Sequence, residues 1–459
     1  MSEKEAQKEA KKKLRREAKL KAIERRQDRL AKRPPPNTFI GKHKWLGGAV
    51  DPNTGYIYGV PSHAIEIIEI RPPEEIGEKA KINTIPLPNQ YKEGKFKWLR
   101  GVIHDGHLYA IPSWSTHGVL KVRLAEQSTR FTKGPRVKVL PLPNPPEYYE
   151  TIVETNEKIV RGQFEYTSVD RGRWMWHGGQ IAIDQNGDPA LYCVPSNAVH
   201  VLKVNLATEA VEEIGPPLPE GQNKWYGGIL GNDGCIYGMC YTATGVLRID
   251  PKYDSVEIIG EFPEGNYKWH GGLLCHKTGI IYAFPAHENV VLCVDTKLKD
   301  DCIGADQSWR VSTIPIQRHQ GDKDSPDLQF KWLGGSYGAD GNIYGMPSDA
   351  TSILKIDTEK HQAFTFGEVS SDKNKFQGGV LGNDKCIYAL CADYNSILRI
   401  DTNPDTPLTI SFVGGGFQDC DDKWQGGFIG KDSRIYAIPE CCDNVVVITP
   451  GDNPTVEMI

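Results

Sequence analysis

From about residue 41 to the C-terminus the chain is a succession of short apolar runs, each closed by turn-forming residues. Residues 224–250, KWYGGILGNDGCIYGMCYTATGVLRID, show the unit. Trp225 to Leu230 is apolar around a glycine pair. Asn232-Asp233-Gly234 is a hairpin-turn signal, because glycine tolerates positive φ. Ile236 to Met239 is a second apolar run, Val246 to Asp250 a third, and Ser255 to Ile259 a fourth. Runs this short, punctuated this often, predict strands rather than helices.

The unit recurs. Its opening returns as KWLGG at Trp45, KWLRG at Trp98, MWHGG at Trp176, KWHGG at Trp269, KWLGG at Trp332, KFQGG at Phe376 and KWQGG at Trp424. Each is followed by an Ile-Tyr or Leu-Tyr pair, at Tyr58, Tyr109, Tyr192, Tyr282, Tyr344, Tyr388 and Tyr436, and then by a third apolar run. The aromatic anchors are spaced 53, 78, 49, 44, 63, 44 and 48 residues apart. Units of four short antiparallel strands at a period near 45 residues predict an all-β fold, an eight-bladed β-propeller of four-stranded antiparallel blades. Blades start near residues 44, 97, 175, 224, 268, 331, 375 and 423, within a ring spanning 41–459. One such sheet cannot bury both of its faces, and stacking blades in a closed ring solves that problem. A fourth strand at Thr455–Ile459 lets the last blade close the ring without borrowing from the N-terminus.

Residues 1–37 are of another kind. They are rich in Ala, Glu, Lys, Arg and Gln, with acidic and basic residues at i,i+4 spacing, and end in Pro34-Pro35-Pro36. This predicts a basic arm, helical or disordered. Residues 1–33 hold fourteen Lys or Arg against six Asp or Glu, a net of +8 that leaves −13 for the remainder. Lys11, Lys12, Lys13, Arg15 and Arg16 are the densest basic cluster, suited to an acidic polymer (nucleic acid or an acidic protein tail) or to nuclear import. No apolar run approaches the roughly 18–20 residues of a membrane span, and the N-terminus lacks the apolar core of a signal peptide. The eleven cysteines then read as reduced thiols in a cytoplasmic or nuclear protein.

Strand alternation places the loop before each anchor and the loop after each second strand on one face. The second loop carries a recurrent proline at Pro61, Pro112, Pro195, Pro285, Pro347 and Pro439, replaced by Cys240 and Cys391 in two blades. Two insertions, 143–173 and 317–328, open on the same face. Loops that vary on a repeated scaffold are where binding concentrates, so Tyr148, Tyr149, Phe164 and Tyr166 of the first insertion are candidate partner-binding residues.

The residue between anchor and glycine pair varies: Leu46, Leu99, His177, Tyr226, His270, Leu333, Gln377 and Gln425 in blade order. Repeat symmetry sets these at one height around the axis. Blades three to five supply a His-Tyr-His arc, blades seven and eight two glutamines, and blade two replaces the first glycine with Arg100. Side chains reaching the channel mouth would form a polar ring for a small polar or anionic ligand; packed between blades, the same residues would be structural. The glycine pairs and anchor aromatics read as packing features of a crowded axis. Neither cofactor nor metal is expected: His177 and His270 lie two blades apart with no recurring third ligand, and vicinal Cys441-Cys442 with Cys391 fits buried small residues better than a redox or metal pair. No Gly-x-Ser-x-Gly, Walker or His-Glu-x-x-His motif suggests catalysis.

The pattern Asp-Gly-x-Ile-Tyr, a loop, then Val-Leu-x-Ile-Asp resembles the blades of the broad β-propeller superfamily, namely NHL, kelch-type, virginiamycin B lyase-like and gluconolactonase-like repeats. The resemblance covers residues 43–459 and implies architecture alone; no catalytic or metal residue of those groups finds a counterpart here. It departs from kelch in placing the glycine pair directly after a first-strand Trp, and lacks the Trp-Asp ending of WD repeats. The function expected is a non-enzymatic protein-binding scaffold or adaptor, with the propeller face taking a partner and the arm an acidic surface. The alternative is a small-molecule enzyme, a lyase or hydrolase, or a ligand sensor using the axial ring.

Overall fold

A computed structural model describes residues 39–74, 78–114, 118–124, 135–143, 173–297 and 307–459. The arm, with Lys11, Lys12, Lys13, Arg15 and Arg16, and the insertion residues Tyr148, Tyr149, Phe164 and Tyr166 lie outside the described residues.

The described chain is all-β, a propeller of repeated four-stranded antiparallel sheets. Six sheets have four strands in sequence order, and a seventh has eight. The eight-stranded sheet is two antiparallel quartets joined by a short parallel contact, Ile316 opposite Ala363 and Gln317 opposite Phe364. In the unit read first above, the strands are Trp225–Leu230, Ile236–Cys240, Val246–Asp250 and Ser255–Ile259, close to the sequence expectation. The last unit ends with its own fourth strand, Thr455–Met458.

Three recurring contacts explain why these residues build this unit. First, the Asp of the turn works twice. In Asp233, one carboxylate oxygen accepts the Cys235 N–H (3.1 Å) and the other the Tyr237 hydroxyl (2.7 Å). Asp340 with Tyr344, Asp384 with Tyr388 and Asp432 with Tyr436 repeat the second bond at 2.7–2.8 Å. The tyrosine can therefore be buried without stranding its hydroxyl. Second, each anchor Trp stands opposite the last residue of the second strand, Trp45 opposite Pro61 and Trp269 opposite Pro285. Its indole N–H donates to a backbone carbonyl at the start of the third strand, as Trp225 to Gly245 and Trp332 to Ser352, both 2.8 Å.

Third, the lysine before the anchor fastens one unit to the one before it. Its backbone N–H donates to the preceding unit's loop, Lys97 to Ser62, Lys224 to Ser196, Lys331 to Ala286 and Lys423 to Ala392. Its ammonium, buried, donates to further carbonyls, Lys331 to His287 (2.9 Å) and Leu328 (2.7 Å) for example. The same pair of contacts joins the first unit to the last: Lys44 N–H donates to the Glu440 carbonyl (3.1 Å), and its ammonium to Glu440 (2.9 Å) and Cys442 (2.7 Å). Charge-assisted bonds of this kind are the strong ones, and they explain a run of buried lysines that the anchor motif alone did not flag.

Candidate axial binding site

All eight first strands break register at the glycine pair, as between Trp45 and Gly48 or between Tyr226 and Ile229. The bulge needs left-handed backbone at the first glycine. In the seven units that have it, φ there runs from +70 to +90°. A Cβ placed on Gly271 or Gly378 would meet nothing within 4 Å. There glycine answers a backbone need, with open space beside it. The second glycine is the crowded one: a Cβ on Gly335 would come 2.3 Å from the Tyr344 carbonyl oxygen and from the Phe284 ring. Crowding is general at the second position, whereas at the first it varies by unit: a Cβ on Gly178 would come 3.0 Å from the Gly227 Cα, and one on Gly227 would meet nothing.

Arg100 occupies the first-glycine position of the second unit at φ +59°. A non-glycine residue there carries a backbone cost of about 1 kcal/mol or more. The side chain is exposed, and its guanidinium lies 5.6 Å from the centroid of Tyr226, two units away along the chain. Tyr226 stands between the histidines, its ring centroid 3.6 Å from His177 and 4.0 Å from His270, tilted by 35° and 38°. Three residues distant in sequence thus form one stacked arc under one cation. Behind it, Tyr241 packs on Tyr226 (5.3 Å) and on Tyr267 (4.8 Å). Leu46, Leu99 and Leu333 complete the series as buried apolar positions.

The electrostatics give the histidines distinct parts. Burial pushes the His177 imidazole well below its ordinary range, and Arg100 and His270 push it further, so it is neutral. Its Nδ1 is buried without a hydrogen-bonding partner among the described residues. So is Oε1 of Gln425, whereas Gln377 donates to Asn374 at 3.0 Å. Buried polar atoms left over in this way call for water or a ligand. Of the residues expected at the ring, Arg100, His177, Tyr226 and His270 come together; the contacts of Gln377 are to its own approach loop.

Sequence reading passed over a second ring of residues. The residue before each anchor lysine (Met175 in the third unit) is in the left-handed region in every unit, at φ +47 to +55°, including Phe96, Trp174, Tyr267 and Phe330. Phe96 packs against Trp114 (4.8 Å), Trp174 (5.0 Å) and His63 (4.4 Å), and Arg173 lies 4.9 Å from the Trp114 centroid. Left-handed backbone usually announces itself through Asn, Asp or Gly. Bulky aromatics at four of the eight positions conceal it.

No family model matches the chain, and no curated protein matches it. Solved structures with a similar fold include streptogramin B lyase, at 14% identity over 92% of this chain and 95% of that one with a TM-score of 0.47. A catalytically inactive virginiamycin B lyase from Staphylococcus aureus with quinupristin aligns at 14% identity over 90% and 98%, with a TM-score of 0.48. The computationally designed Ika8 protein aligns at 6% identity over 92% and 98%, with a TM-score of 0.50. The likeness is one of fold, a β-propeller of four-stranded antiparallel sheets. No helix among the described residues is long and apolar enough to cross a membrane.

Proposed function

We propose that the protein is an eight-bladed ring whose axial mouth binds a small anionic organic ligand, such as a carboxylate. Arg100 is the group that holds the anion, and the His177–Tyr226–His270 arc is the flat wall beside it. The observation that carries this reading is the substitution of an arginine for glycine at one bulge out of eight, at a backbone cost, with its guanidinium delivered over the arc. Strained non-glycine backbone recurs where function demands it. Neutral His177, in the tautomer that carries its proton on Nδ1, offers a donor to such a ligand. The adaptor expected from the sequence names its partner-binding residues in the arm and the 143–173 insertion, outside the described residues, and the contacts of Arg100 with the arc favour the axial site.

The test is a thermal-stabilisation screen of small carboxylates and phosphate esters, in which a bound ligand raises the melting temperature by mass action. Hits should lose their effect in His177→Ala/His270→Ala and keep it when residues 1–37 are deleted. Hits that survive the double substitution and vanish with the arm would overturn the reading.

A further inference from the structure

The contact between the last unit and the first holds a second candidate site. His43 Nδ1 and Glu440 Oε1 are 2.7 Å apart, and Cys441 Sγ lies 4.0 Å from the same nitrogen. One donor atom from each of the three residues lies within 4.8 Å of the others. We propose that His43, Glu440 and Cys441 bind a divalent zinc-class metal ion at this junction.

The chemistry of the donor set points to that class. One imidazole, one carboxylate and one thiolate form a mixed N/O/S set suited to zinc, and poor for the hard cations magnesium and calcium. Bonds of about 2.0–2.3 Å in a tetrahedron set the donors about 3.3–3.6 Å apart. The two separations at His43 Nδ1, 2.7 and 4.0 Å, lie within about an ångström of that. Three protein ligands leave the fourth position for water or a small ligand. Binding replaces the proton His43 now shares with Glu440 and the thiol proton of Cys441, and both leave to solvent. Glu440 and Cys441 are buried and His43 half-buried, which leaves an approach from the loop side.

The backbone around the ligands is fixed. Glu440 N–H donates to the Lys423 carbonyl and Cys441 N–H to that of Asp422, both 3.0 Å. The Lys44 ammonium sits on the Glu440 and Cys442 carbonyls, bracketing Cys441, and takes a third from Gly41 at 2.9 Å. His43 is held at φ +49° with its ring against His63 and Phe96.

The repeats act as internal controls. Every junction sets the residue before an anchor against the loop of the preceding unit. Phe96 meets His63, Tyr267 meets Tyr241, and the Asn374 N–H donates to Asp349. Among the described residues, only the His43 junction brings three ligating groups together. A general structural demand of the fold would have placed such residues at the other junctions too.

The experiment uses untagged full-length protein, titrated with Co²⁺ and then Zn²⁺. One equivalent of cobalt should give a thiolate-to-metal charge-transfer band that zinc displaces, and zinc should raise the melting temperature. Cys441→Ser should abolish the band and weaken zinc binding roughly 100-fold, while His43→Gln weakens it to a similar extent. Cys442→Ser, whose thiol instead lies 3.4 Å from Cys420, should leave band and affinity unchanged. Absence of a band and of zinc stabilisation in the folded wild-type protein would overturn the proposal. So would a band that persists in Cys441→Ser or disappears in Cys442→Ser. The wild-type readings stand even if a substitution harms folding.

Discussion

At the scale of the residue, the chain takes on strain at one unit and buried charge at nearly all of them. Arg100 accepts left-handed backbone that seven other units give to glycine. Seven buried lysines hold ammonium groups on carbonyl oxygens, and burial lowers Lys97, Lys224, Lys331 and Lys375 to about 8. Two half-buried histidines behave in the same sense. Burial, with nearby cations, lowers His287 to about 4 and His63 to about 3. Unfolded histidine titrates near about 6.5. Below that pH the unfolded chain takes up protons that the folded chain refuses. The stability present above pH 6.5 is therefore lost as pH falls toward 4, and solvent screening at these half-buried rings keeps the slope below the roughly 1.4 kcal/mol per pH unit of a fully shifted group. Urea unfolding measured from pH 7 to pH 4.5 should show this slope, and His287→Gln should remove its share. An unchanged slope in the variant would contradict the assignment.

At the scale of the element, the strand pattern was legible and the reasons for it were only partly so. Short apolar runs, turn signals and recurring anchors placed the strands within a residue or two, because each feature is local. The bulge was not legible, since a glycine pair has two physical origins that look alike in a sequence. Their separation gives a prediction. Gly335→Ala forces a Cβ onto the Tyr344 carbonyl and the Phe284 ring and should destabilise by about 3 kcal/mol or more. Gly271→Ala meets open space and should cost only about 1 kcal/mol, from its left-handed backbone. Equal losses in denaturant unfolding would show that crowding alone explains both. The lysine contacts and the left-handed aromatics escaped sequence reading for a related reason. Their partners are backbone atoms of another unit, which carry no residue-type signature.

At the scale of the whole molecule, the His-Tyr-His arc could be anticipated because repeat symmetry equates positions that sequence separates. The junction of His43 with Glu440 and Cys441 could not, because it joins residues nearly 400 positions apart. Ring closure is open to test at that same junction. Lys44→Met removes three carbonyl contacts, and Lys331→Met removes the corresponding ones inside the ring. In a closed ring the two should destabilise alike, by about 2–3 kcal/mol in equilibrium unfolding. In an open array the terminal substitution would cost far less.

The account turns on Arg100 being kept for a ligand at the expense of the backbone. The most direct measurement is the melting temperature of Arg100→Gly beside its affinity for the best carboxylate hit. The account predicts a melting temperature equal to or above wild type, since glycine relieves about 1 kcal/mol of backbone strain, with binding lost. A lowered melting temperature with binding retained would make Arg100 a structural brace on Tyr226 and contradict the proposed function.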